Sequence, residues 1–108
     1  MRTAASDLRR HQRVLVPEGH SIHAEGSGRG FQLEGEVSVV GLTGIFLRTR
    51  DLRAVGTAMH LKVIGPLAGF EFDGAIRYVG ERGVGVEIIS ITPTDQQKLK
   101  SLLLHLKA

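Results

Sequence analysis

Between Phe31 and Val40 the chain alternates, with Phe31, Leu33, Val37 and Val39 on one side and Gln32, Glu34, Glu36 and Ser38 on the other. A period of two is the mark of a half-buried β-strand and is incompatible with a helix. The same alternation runs from Phe70 to Val79, and Ile45–Thr49, Thr57–Ile64 and Val84–Ile89 are short apolar segments of strand character. Turn residues separate them: Gly41-Leu42-Thr43-Gly44, the polar stretch Asp51–Gly56, Gly65-Pro66 and Gly80-Glu81-Arg82-Gly83. Upstream, Ser21–Ala24 reads as a first strand, and Val14–Val16, stopped by Pro17, as an extended lead-in. Gly26-Ser27-Gly28-Arg29-Gly30 lacks both the lysine of a phosphate-binding loop and the GxGxxG spacing, and reads as a flexible hairpin connection.

The period changes after Ile91. Thr92 suits a helix N-cap, Pro93 the first helical position, and Asp95 the first turn, where the helix dipole favours negative charge. Leu99, Leu102, Leu103 and Leu106 then follow the i, i+3, i+4, i+7 spacing of one apolar face, while Leu104 overfills the stripe and is left for a partner or a second copy. The expected fold is all-β with one helix: about six short strands in an antiparallel barrel or strongly bent sheet, covered by a C-terminal helix over 93–107. At 108 residues the chain makes one domain, 14–108, preceded by a basic arm, 1–13.

That arm holds the charge excess. Arg2, Arg9, Arg10 and Arg13 against Asp7 give it a net +3, while residues 14–108 balance to zero. Arginine offers a planar fork of donors that fits phosphates and guanine edges, so the arm points to an anionic ligand, the alternative from composition alone being a solvated basic start. A neutral body without a broad basic face argues against DNA or RNA.

Catalysis is hard to build from these residues. Without cysteine there is no thiolate nucleophile or cysteine-based zinc site. Of the five histidines, His20 and His23 are three apart, which on a strand sends them to opposite faces, so no metal site is expected. Glu34 and Glu36 belong to a solvated strand face, and Tyr78 and the four phenylalanines to the core. No catalytic residue is assigned, and no apolar run reaches the ~20 residues of a membrane span. A soluble cytoplasmic protein is expected, with no secretory signal.

Arg9-x-x-x-Arg13, the turn Val39-x-Gly41-x-x-Gly44, the strand Ile45-Phe46-Leu47-Arg48-Thr49, and the segments Val55–Leu61, Gly74–Val79 and Gly83–Ile88 together resemble a PilZ domain over residues 8–106. The resemblance implies a six-stranded antiparallel β-barrel with a C-terminal helix, and a bacterial receptor for the second messenger cyclic di-GMP. It implies that Arg9, Arg10 and Arg13 fold over the nucleotide, and that a (D/N)xSxxG turn reads a guanine edge. Here Val39 stands at the acidic or amide position and Gly41 at the serine position; only Gly44 is kept. Losing a bidentate base contact of about 1–3 kcal/mol and a hydrogen bond of about 1 lowers the expected affinity by roughly two orders of magnitude. Thr43 carries a hydroxyl within the same turn, while strand parity sets Ser38 on the wrong side. The resemblance thus implies cyclic di-GMP as the ligand, at reduced affinity, with no other cofactor and with a downstream protein partner. The alternatives are a PilZ-fold interaction module that has lost the nucleotide, and a small barrel binding nucleic acid through its arm.

Overall fold

The computed structural model describes residues 13–67 and 69–107. Seven strands appear in it: β1 (Val14–Leu15), β2 (His23–Gly28), β3 (Phe31–Gly41), β4 (Gly44–Arg48), β5 (Ala58–Ile64), β6 (Phe70–Val79) and β7 (Gly83–Ser90). The helix α1 (Pro93–Lys107) follows. Six strands pair antiparallel in the order β3-β2-β5-β6-β7-β4, and β4 returns to β3, closing a barrel. Closure leaves no open sheet edge among these six. The two-residue β1 is an addition outside the ring, paired on β3 through Val14↔Val40.

Alternation fills the interior. On β5, Met59, Leu61 and Val63 point inward and are at most 4% exposed, while His60, Lys62 and Ile64 face out. Leu33, Val37 and Val40 of β3, Ile45 and Leu47 of β4, Phe70, Phe72 and Ile76 of β6, and Val84 and Val86 of β7 complete the core with Ile22 and Ala24. The helix adds its predicted face, Leu99, Leu102, Leu103 and Leu106, and packs on β6 and β1. Thr92 caps it: the Asp95 amide donates to Thr92 Oγ1 at 3.1 Å, and that hydroxyl donates to Asp95 Oδ2 at 2.9 Å. Asp95 Oδ1 also accepts from the Glu71 amide at 3.3 Å, fixing the helix start against β6. Leu104 stands 70% exposed on the far face.

Three expectations need correction. Gly26 and Gly28 are strand residues, and the β2–β3 turn is only Arg29-Gly30, with Gly30 at φ 79°. A Cβ on Gly28 would strike the Phe31 ring, and one on Gly26 would come within 2.8 Å of Met59 Sδ. These glycines therefore serve close strand packing and not flexibility. Second, β3 carries a bulge: Val37 pairs with Leu47 and Val39 with Phe46, leaving Ser38 as the extra residue. Strict alternation would bury Val39; the bulge buries Val40 instead and turns Val39 outward. Third, β6 carries one at Arg77, because Ile76 pairs with Val86 and Tyr78 with Gly85. Tyr78 is thereby turned out of the core and stands 48% exposed. Of the four phenylalanines, only Phe70 and Phe72 are core residues; Phe31 and Phe46 are half-buried.

Candidate functional site

The two bulges shape one concavity of about 370 Å³ on the outer surface where β3, β4, β7 and β6 adjoin. Its floor is glycine-lined. Gly41 and Gly44 face each other across the β3–β4 turn, and a side chain at Gly44 would collide with the Val86 carbonyl. Gly85 leaves room for the Tyr78 ring to lie directly over the β7 backbone. That ring stacks on Phe46 from β4, with centroids 6.0 Å apart and planes 25° from parallel. The result is a shallow surface with two aromatic faces, at the spacing of aromatic pairs in general.

Polar groups stand at its rim. Arg13 reaches it from the chain just before β1, Thr43 from the turn, and Arg77 and Glu87 from β6 and β7. Arg77 Nη1 lies 3.3 Å from Glu87 Oε1, and both side chains are substantially exposed. Thr43 is exposed, and its carbonyl accepts from the Ile88 amide at 2.8 Å, which pins the turn to β7.

Of the residues singled out from sequence, the structure brings Arg13, Val39, Gly41 and Gly44 into this one hollow. Arg9 and Arg10 lie outside the described residues. Arg77, Tyr78 and Glu87 were not anticipated; the Gly83-Val84-Gly85 segment held the clue, because a glycine amid a strand marks a close neighbour. The PilZ domain profile matches residues 7–105.

The chain belongs to the PilZ domain family.

Solved structures share the fold. The PilZ domain of YcgR from Escherichia coli, whose structure is described as with c-di-GMP, superimposes with a TM-score of 0.73 at 15% identity, covering 88% of each chain. The PilZ domain of CeSA from a cellulose-synthesizing bacterium gives 0.65 at 13% identity, covering 89% of this chain and 98% of its own. A Legionella protein, Lpg0364, gives 0.58 at 13% identity, covering 88% and 92%. A search of curated proteins by sequence finds no match.

This PilZ barrel has a second hollow, of about 490 Å³, on the outer faces of β2, β3 and β5. Its chemistry differs. Glu25, Glu34 and Glu71 line it beside Lys62 and His60, so an anionic ligand would meet repulsion there. His60 places Nε2 2.7 Å from Glu71 Oε1 and Nδ1 2.8 Å from Asp73 Oδ1, tying β5 to β6. The hydrogen bond to Glu71, then that to Asp73, holds the imidazole pKa above its usual range. Glu25 and Glu34 are directly opposed across β2–β3, a like-charge pair. His23 Nε2 relieves it at 3.1 Å from Glu34 Oε1. His23, Glu25 and Glu34 have ligand atoms within 4.8 Å of one another, so these are the described residues best placed to hold a cation. His20, by contrast, lies before β2 with its ring edge-on to His105 at 5.8 Å. Among the described residues no helix is long and apolar enough to cross a membrane.

Proposed function

We propose that this PilZ domain is a bacterial, cytoplasmic receptor for cyclic di-GMP that works by binding and not by catalysis. The observation that carries the reading is the meeting of Arg13 with the Val39–Gly44 turn in one concavity, although Val39 lies 26 positions beyond Arg13 in the chain. Arg9, Arg10 and Arg13 supply guanidinium forks for the two bridging phosphates, and the Phe46–Tyr78 surface offers a face for a guanine ring. Thr43 supplies a hydroxyl to the turn that has lost its serine. Capture of the nucleotide draws the arm onto the barrel, and the combined surface of arm, ligand and rim is what a downstream protein reads.

Val39 favours a second reading, an interaction module without nucleotide, because a valine accepts no hydrogen bond from guanine. Calorimetric titration separates the two. Cyclic di-GMP should bind the wild type in the micromolar range. Arg9→Ala/Arg13→Ala should abolish binding, and Val39→Asp/Gly41→Ser should tighten it by roughly a hundredfold, the loss expected from the altered turn. No heat with the wild type at high micromolar nucleotide would favour the interaction module.

A further inference from the structure

Among the described residues that line the concavity, Glu87 is the one acid. It pairs across the β4–β7 ladder with Gly44, the retained glycine of the turn, and it stands beside Arg77. The Watson–Crick edge of guanine presents an acceptor at O6 and donors at N1 and N2. An arginine and a carboxylate side by side present the complement: one N–H donor and two acceptor oxygens. Adenine offers a donor where guanine has O6, which would face the arginine donor and be repelled.

We infer that Arg77 and Glu87 form a guanine-reading pair, with Glu87 supplying from β7 the carboxylate that Val39 no longer supplies from β3. The inference rests on the cyclic di-GMP reading of this concavity and names the residues that give it base specificity. Three placements support it. The ion pair lies at the rim of the same hollow as Arg13. Its two members are bound to each other at 3.3 Å yet remain 65% and 40% exposed, so they are pre-aligned and reachable. The neighbouring Tyr78 ring gives a base a face to lie on while its edge meets the pair. Strand alternation puts Arg77 on the outer surface, and the β6 bulge turns Tyr78 out beside it.

The test compares bases and not only affinities. Wild type, Glu87→Ala and Arg77→Ala are each titrated with cyclic di-GMP, cyclic di-IMP (which lacks the N2 amino group) and cyclic di-AMP. The wild type should prefer cyclic di-GMP over cyclic di-IMP by about tenfold, the worth of one well-placed contact to a charged acceptor. Glu87→Ala should weaken cyclic di-GMP by roughly tenfold to a hundredfold and bring its ratio to cyclic di-IMP near one. Arg77→Ala should erode the preference over cyclic di-AMP. Both side chains are exposed, so melting temperatures should stay close to wild type. If the wild type binds cyclic di-GMP and Glu87→Ala keeps both affinity and preference, the pair is a surface ion pair and this inference fails while the receptor reading stands. If the wild type binds none of the three, the receptor reading fails and the inference with it.

Discussion

Gly85 is the residue on which the concavity turns. Any side chain there would occupy the space of the Tyr78 ring, which lies over the β7 backbone against Phe46. Gly85→Val should therefore push Tyr78 off Phe46 and roughen the floor. The chain has one tyrosine and no tryptophan, so the near-ultraviolet tyrosine circular dichroism signal reports that ring alone among the larger aromatics. The signal should collapse in Gly85→Val while the far-ultraviolet strand signal persists, and the nucleotide affinity should fall by about tenfold or more, in line with roughly 1–3 kcal/mol per stacked base. An unchanged tyrosine signal would show that the ring has another place to lie.

At the scale of elements, most of the fold was legible because apolar period and turn residues agreed. The run Phe70–Val79 gave β6 its bounds, and the leucine stripe gave α1 its buried face. The misplaced side chains Val39 and Tyr78 share one physical cause. Periodicity assumes an unbroken register, and a bulge adds a residue without leaving an apolar signature. Hence Tyr78 was read as a core residue and the alternation set Val39 on the inward side of its strand, and both line the hollow. Bulges re-aim side chains, so the positions that periodicity misassigns here are the ones that make the surface. Cross-strand partners were equally invisible in a single sequence: nothing in the spacing links His60 to Glu71 and Asp73, or Arg77 to Glu87.

The His60 clamp carries its own expectation. Its pKa is raised in the folded protein, so its stabilising contribution is fully present below about pH 6.5 and is lost as the pH rises through the folded value. Thermal melts across that range should show the advantage of wild type over His60→Gln shrinking as the pH rises. Because the ring is about half-exposed, the effect should be modest and should weaken with salt. A difference that is constant across pH would mean that the ring acts through packing.

For the whole molecule, barrel closure is what assembles the site. β4 is held between β3 and β7, which brings the Val39–Gly44 turn of one part of the chain to the Gly85–Glu87 segment of another, with Arg13 arriving from the lead-in strand. Arg13 and the altered turn were readable in the sequence as candidate positions; that β6 and β7 line the same hollow was not, because the juxtaposition exists only once the ring is closed. The two hollows of the barrel differ in charge, and the proposed nucleotide site is the one bearing Arg13 and Arg77, not the carboxylate-lined one. Backbone amide chemical shifts, followed while cyclic di-GMP is added, test this most directly. The largest changes are predicted at Thr43, Gly44, Phe46, Gly85 and Glu87. Changes centred on Glu25, Ser27 and His60, or none at saturating nucleotide, would contradict it.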